Sequence, residues 1–346
     1  MALQTKIPIL RWTFCYNTLM KKRIFGKTGI EVSEVGLGTW QLGTDWGEVT
    51  EEESLSVLND AIDKGVTFID TADVYGTGRS EISIGKMLKS RKEELLVASK
   101  IGRWHHPGWP ENFTLDNMRI QIKNSLERLG LEVLDLIQLH CIPTDALEKG
   151  EVFDNLRTLK QEGLVKNFGV SVETMEEALL CLKQDDVVSL QIIFNVLRQK
   201  PITSLFEAAR ESNTALIIRL PLASGLLSGK LTKDTEFAPS DHRNYNRDGQ
   251  KFNVGETFAG LPFEKGVELV DEIKPLVPEG MTMAQMAIRW ILDYDAVSVV
   301  IPGASSTKHV DSNVKASELP PLSPELHQAL SEFYENQVAS HIRGPY

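Results

Sequence analysis

Eight short apolar, β-branched runs alternate with amphipathic segments along this chain, and no other feature narrows its fold as much. The runs are Val35–Gly38, Val66–Asp70, Leu95–Lys100, Leu134–His140, Asn167–Ser171, Val188–Gln191, Ala215–Ile218 and Val297–Ile301. Most are too continuously apolar for a sheet with one wet face and suit strands covered on both faces. Between them, helical spacing recurs. Residues 51–63 open on Glu51-Glu52-Glu53, which favours a helix N-terminus, and place Leu55, Leu58 and Ile62 on one side. Residues 114–129 start at Thr114 as a candidate N-cap, carry Leu115, Met118, Ile122, Leu126 and Leu129 on one stripe, and stop at Gly130. Similar patterns cover 79–90, 151–162, 174–183, 201–211, 264–274, 282–292, 306–316 and 323–338. Right-handed βα units repeated eight times close most naturally into an α/β fold, a (β/α)8 TIM barrel. Residues 22–34 add an N-terminal β-hairpin around Gly26-Lys27-Thr28-Gly29 that would cap the closed end, and 223–262 form a long polar loop after strand 7.

This pattern divides the 346 residues into an N-terminal extension (1–19) with no expected catalytic role, a single barrel (20–340) and a C-terminal tail (341–346). The tail is expected to be disordered, the alternative being that it folds over the barrel rim. The extension holds Lys6, Arg11 and the apolar stretch Ile7–Leu10, which Arg11 cuts too short for a signal peptide; Met20 is an alternative start, and a weak targeting peptide the lesser reading. Thirty-seven Lys and Arg against 48 Asp and Glu leave a net charge of −11, which repels phosphate backbones, and no basic stripe compensates, so no nucleic-acid partner is expected. No run of about 18 apolar residues suggests a membrane span. Cys15, Cys141 and Cys181 form neither a Cys-x-x-Cys pair nor a disulfide framework, which fits a reducing, cytoplasmic setting.

In such a barrel the chemistry sits at the carboxyl ends of the strands, so the polar residues that end the apolar runs are the candidates. They are Asp70, Lys100, His140, Ser171 and Gln191. Charges brought to one rim are costly to bury alone, so Asp70 and Lys100 on neighbouring strands should pair. Tyr75 follows Asp70 by five residues and reaches back over the same rim. A phenol titrates near 10; a neighbouring ammonium would lower that value and make the hydroxyl a usable proton donor. His140 beside Cys141 suggests a metal only superficially, because adjacent strand residues face opposite ways and no further ligands converge, so no metal is expected. Gly225–Lys230 lacks the spacing and hydroxyl of a P-loop, and Gly36-Leu37-Gly38 lacks the third glycine of a dinucleotide fingerprint. The residues alone define a proton-transfer site on a barrel.

The strings Phe68-Ile69-Asp70-Thr71-Ala72-Asp73-Val74-Tyr75-Gly76, Ala98-Ser99-Lys100 and Gln138-Leu139-His140 resemble the catalytic region of the aldo-keto reductase superfamily. Gly36-Leu37-Gly38-Thr39-Trp40, Pro221–Lys230 and Ile301-Pro302-Gly303-Ala304 extend the resemblance over nearly the whole chain after the extension. It implies an NAD(P)H-dependent oxidoreductase that reversibly reduces an aldehyde or ketone to an alcohol, with NADP favoured and NAD possible. Tyr75 would donate the proton, Lys100 tune it, Asp70 hold Lys100, and His140 orient the carbonyl oxygen. Ser171 and Gln191 would hold the nicotinamide carboxamide. Pro221, Leu222, Ala223, Ser224, Gly225 and Leu226 would wrap the pyrophosphate, with Thr39, Trp40, Asp70, Lys230 and Arg243 as further cofactor contacts. Gly303, Ser305, His309 and Asn313 would meet the adenosine phosphate at a helix start.

Three departures stand out. Val172 replaces an Asn often found after the serine, Arg219 stands where an aromatic often stacks on the nicotinamide, and Ser305 and Ser306, with Lys308 nearby, stand where an Arg often meets the ribose phosphate. The substrate expected is a small carbonyl compound or sugar, with the pocket walls drawn from 40–47, 103–113 and the tail; Trp104, His105, His106 and Trp109 are either such a wall or a packed surface loop. The chain is expected to be a monomer or small homo-oligomer. Two other functions fit less well: a cofactor-binding regulatory subunit, and a barrel aldolase using Lys100 as a Schiff base.

Overall fold

A computed structural model describes residues 20–43, 46, 47 and 49–346, so the expectations for the 1–19 extension lie outside the described residues. Strands β1 (Lys22–Ile24) and β2 (Glu31–Ser33) pair antiparallel, with Arg23 opposite Val32, and form the expected hairpin. The other strands are β3 (Leu37–Gly38), β4 (Phe68–Asp70), β5 (Leu96–Ile101), β6 (Leu134–His140), β7 (Val165–Ser171), β8 (Val187–Ile193), β9 (Ala215–Arg219) and β10 (Val297–Val300). All eight run parallel in chain order. Bridges Val35↔Val300 and Gly38↔Gly303 join the first to the last, with Gly36 N donating to Val300 O at 2.8 Å, and close the sheet into a barrel.

Side-chain alternation explains both the core and the site. Phe68, Leu96, Ala98, Leu136, Ala215, Ile217 and Val299 point into the barrel, where Phe25 and Val32 of the hairpin pack against them and plug the amino-terminal end. Ile69, Val97, Ile137 and Leu139 point outward into a second core under the helices. Two residues further along an inward row from Phe68 lies Asp70, from Ala98 lies Lys100, and from Ile217 lies Arg219; His140 is four beyond Leu136. The apolar alternation that fills the barrel therefore also aims the polar strand ends at its open mouth.

The helices follow the expected pattern with local differences. Helix Glu51–Asp63 has a full capping box, in which Thr50 accepts from Glu53 N and Glu53 reaches back to Thr50 N. Thr174 and Thr282 build the same device. Thr114 does not: it heads helix Leu115–Leu129, but its hydroxyl donates to Glu111 O, turned back towards the preceding 3-10 turn. The 201–211 segment breaks at Leu205 into Pro201–Ser204 and Phe206–Glu211, and 323–338 is α-helical only over Pro324–Phe333 before widening to a π turn. A short helix, Thr144–Lys149, was not foreseen.

The tail is ordered, contrary to expectation. Arg343 donates to Gly260 O at 3.0 Å, Leu261 O at 3.1 Å and Arg247 O at 3.3 Å, and pairs with Asp248 at 2.6 Å, so it is stapled to the long loop. The Tyr346 ring lies 4.6 Å from the Arg198 guanidinium. Five charged or carbonyl-satisfying contacts outweigh the entropy that usually frees a terminus. Among the described residues no helix is long and apolar enough to cross a membrane.

Candidate active site

At the carboxyl ends of the strands lies a cavity of about 590 Å³, lined at one end by Asp70, Tyr75, His140, Gln191, Arg219 and Glu256 and at the other by Gly303, Ser305, Lys308, His309 and Asn313. That volume falls within the range of small-molecule and cofactor sites.

The reactive end is built around Lys100, which is 1% exposed. Its Nζ donates to Asp70 Oδ1 at 2.5 Å, Asp70 Oδ2 at 2.6 Å, Thr71 O at 2.8 Å and the Tyr75 hydroxyl oxygen at 3.2 Å. Gln191 Nε2 donates to the same carboxylate at 2.9 and 3.1 Å, and to Gln138 Oε1 at 3.4 Å. The expected Asp70–Lys100 pair is present and fully buried. Burial acts on it from both sides, raising the Asp70 pKa and lowering that of Lys100 against their mutual attraction.

Tyr75 departs from expectation in one respect. Burial first, then the Asp70 and Glu256 carboxylates, push its hydroxyl well above the usual value of 10.0. The Arg219 guanidinium pulls the other way and is outweighed by burial and the carboxylates. Tyr75 is therefore a protonated phenol beside an ammonium that is paired with Asp70. His140 sits edge-on to Tyr75 with ring centroids 5.8 Å apart. Burial, then the charges of Arg103, Lys100 and Arg219, hold it well below 6.5, so the imidazole is neutral; Nδ1 has no hydrogen-bond partner among the described residues.

Of the other expected contacts, Thr39, Trp40, Asp70, Gln191, Arg219, Pro221, Leu222, Ser224, Gly225, Lys230, Arg243, Gly303, Ser305, His309 and Asn313 line the cavity. Thr39 donates to Asp70 O at 2.8 Å, and Trp40 stacks on Tyr75 at 5.9 Å. Arg243 pairs with Asp241 at 2.6 Å and lies 4.8 Å over Trp46. Ser305 Oγ is 3.3 Å from His309 Nδ1, and Asn313 donates to Gly303 O at 3.3 Å. Burial and Lys230 lower the His309 pKa. Helix Thr307–Glu318 begins beside these groups, an arrangement that favours anions.

Three expected residues stand back from the cavity. Ser171 faces Cys141, Oγ to Sγ at 3.4 Å. Ala223 and Leu226 are buried in the outer core, in a stretch that turns through left-handed Ala223, Ser224 and Gly225, with φ of 47°, 55° and 96°. Ser224 and Gly225, between them, do reach the cavity.

Sequence reasoning missed a charged cluster on the same rim. Glu256 Oε1 lies 3.3 Å from Arg103 Nη2, and Oε2 lies 3.6 Å from Arg219 Nη1. Arg103 also donates to Glu173 at 3.0 Å, and Asn253 Nδ2 donates to Glu173 at 2.9 Å. Arg219 donates to Val172 O at 3.1 Å. Cys141, Glu173 and Glu256 have the mutual spacing of metal ligands, but the two guanidinium groups inserted among them already balance the two carboxylates, a donor set that does not fit a cation. These residues come from four different strand-end loops, so no sequence spacing announces them. Trp46, six residues after Trp40, had a signal: the two rings pack edge-on at 5.5 Å, and both line the cavity.

Comparison with known proteins agrees with this geometry. The model of the Aldo/keto reductase family matches residues 34–335. The uncharacterized oxidoreductase YqkF of Bacillus subtilis is 28% identical over 92% of this chain and 98% of its own length. The aldo-keto reductase yakc [NADP(+)] of Schizosaccharomyces pombe is 28% identical over 82% of this chain and 84% of its own. The holo form of aldo-keto reductase AKR11C1 from Bacillus halodurans superposes with a TM-score of 0.74 at 27% identity, covering 91% of this chain and 96% of that one. With the family model spanning the whole barrel and the strand-end groups converging on one cavity, the chain belongs to the Aldo/keto reductase family.

Proposed function

We propose that this protein is an NADP-dependent oxidoreductase that interconverts a small aldehyde or ketone and its alcohol, with Tyr75 as the proton donor. The observation that carries the reading is the Tyr75 hydroxyl, 3.2 Å from Lys100 Nζ, beside a neutral His140 at the inner end of the cavity.

The cofactor, when bound, supplies hydride from the reduced nicotinamide. The residues present fit it: Gly303, Ser305, Lys308, His309 and Lys230 offer cations, hydroxyls and a helix start for phosphate, and Gln191 with the strand ends offers polar groups for the ring. The name of the fission-yeast relative includes NADP(+), which favours the phosphorylated cofactor.

The chain's own groups do the rest. A carbonyl oxygen entering beside Tyr75 meets a donor that stays protonated until the oxygen becomes basic, and His140 adds a neutral hydrogen bond that orients it. Asp70 keeps Lys100 in place so that its ammonium faces the phenolate that forms. Trp40 and Trp46 wall the reactive end and exclude water. A Schiff-base role for Lys100 loses support, since its Nζ is buried and already donates to Asp70 and Thr71. A cytoplasmic setting fits Cys141 and Cys181, both free and buried.

The test is absorbance-followed NADPH oxidation across aldehydes, ketones and aldoses, with NADH in parallel. Turnover with at least one carbonyl class supports the reading. Tight NADPH binding with no oxidation by any class would count against it.

A further inference from the structure

Glu256 is a carboxylate in an unusual position. It is 6% exposed, yet it lines the same cavity end as Tyr75 and His140. Its backbone is fixed where Ser224 Oγ donates to Glu256 O at 3.3 Å, and Phe258 N donates to that same Ser224 hydroxyl at 3.1 Å. The carboxylate is braced by Arg103 at 3.3 Å and Arg219 at 3.6 Å, and burial notwithstanding, those guanidinium groups hold it below its usual value, so it is ionised. An ionised carboxylate accepts about four hydrogen bonds. Arg103 is within hydrogen-bond distance and the Glu173 carboxyl, its pKa raised by burial and by Glu256, shares a second hydrogen bond with it, so part of that capacity is filled and the rest borders the cavity.

A carboxylate whose remaining acceptor sites lose water to an incoming ligand is costly unless that ligand returns a donor. An apolar carbonyl compound would strip water from Glu256 and return nothing. A compound bearing a hydroxyl near its carbonyl would donate to it, while Trp40 and Trp46, which line the same cavity, offer apolar surface for its C–H groups. Resting on the reductase reading above, we propose that Glu256 is the specificity-determining residue of this site, accepting a hydrogen bond from a hydroxyl beside the reacting carbonyl, so that the substrates are small hydroxylated aldehydes or ketones. Arg103 and Arg219 act as positioning residues for it. The alternative is that Glu256 only tethers the long loop to the barrel rim.

The experiment compares kcat/KM for glyceraldehyde, as its free carbonyl form, with that for propanal, in the wild type, Glu256→Gln and Glu256→Leu, with NADPH affinity followed by fluorescence titration. The wild type should favour glyceraldehyde by about tenfold or more, and both variants should lose most of that preference. The Gln variant keeps shape and part of the hydrogen bonding, so it should fall between the other two. A ratio within about twofold of wild type in both variants, whatever happens to NADPH affinity, would make Glu256 a tether and overturn the proposal. Wild-type preference for propanal would overturn it while leaving the reductase reading standing; no oxidation of NADPH by any carbonyl in a protein that binds it would overturn both. If the Leu variant does not fold, the wild-type ratio and the Gln variant still decide.

Discussion

Lys100 Nζ stands 3.2 Å from the Tyr75 hydroxyl oxygen. The contact is longer than either of those it makes to Asp70, while burial and the Asp70 and Glu256 carboxylates keep Tyr75 a protonated phenol. In the proposed reduction such a donor would give up its proton only as negative charge develops on the substrate oxygen, after which the ammonium would stabilise the phenolate left behind. Tyr75→Phe removes the proton and little else. Steady-state kinetics should show kcat down by on the order of 100-fold or more, with NADPH affinity by fluorescence titration within a small factor of wild type. Near wild-type turnover would remove Tyr75 from the chemistry.

Asp70 and Lys100 also make a stability prediction. Both side chains are 1% exposed, and each is the main counter-charge of the other. Asp70→Asn strands an ammonium in the barrel and should cost about 3–5 kcal/mol in denaturant unfolding. Adding Lys100→Met to it removes the stranded charge, so the double variant should be more stable than Asp70→Asn alone. Additive losses would show that the pair is not coupled.

The pH dependence follows from His140. Its native pKa is held well below 6.5 by burial and three neighbouring cations. In the unfolded chain it titrates near 6.5. Below that pH the unfolded state takes up a proton that the native state refuses, so the stability contributed above about 6.5 is lost as pH falls. Thermal unfolding from pH 8 to 5 should show a decline in Tm whose slope is shallower in His140→Asn. Parallel curves for the two proteins would mean that His140 does not carry this linkage.

The sequence disclosed the barrel because an apolar run covered on both faces has few other homes, and it disclosed Asp70, Lys100 and His140 because each ends such a run. Once the strands are placed, inward parity from Phe68, Ala98 and Leu136 fixes where those side chains go. Glu256 and Arg103 were not legible in the same way. They lie in loops, 153 positions apart, and meet only because the barrel brings the ends of β5 and β9 to one rim. The ordering of the tail was hidden for a similar reason, since Arg343 finds its partners 82 to 96 positions earlier in the chain. The raised Tyr75 pKa was not legible either, because its main cause is burial, joined by the Asp70 and Glu256 carboxylates, which the fold alone brings around the ring.

Gly76 connects backbone geometry to the Tyr75 hydroxyl. It follows Tyr75, has φ +58°, and lies so close to Gly43 that an added Cβ would stand 2.4 Å from Gly43 O and 2.8 Å from Gly43 Cα. Both obstacles are backbone, so a side chain here must move the 39–43 turn, the Tyr75 loop, or both. Gly150 is the natural control: its φ is +80°, but nothing lies within 4 Å of its added Cβ. Gly150→Ala should cost only the left-handed backbone penalty, about 1 kcal/mol, and leave kcat near wild type. Gly76→Ala should cost about 2 kcal/mol or more and lower kcat by at least about tenfold in the molecules that remain folded, because a displacement of even about 1 Å at the proposed proton donor is expensive. Denaturant unfolding measured beside kcat separates the two effects. Equal losses of stability and equal activity in the two variants would show that the Gly43–Gly76 contact does not position Tyr75.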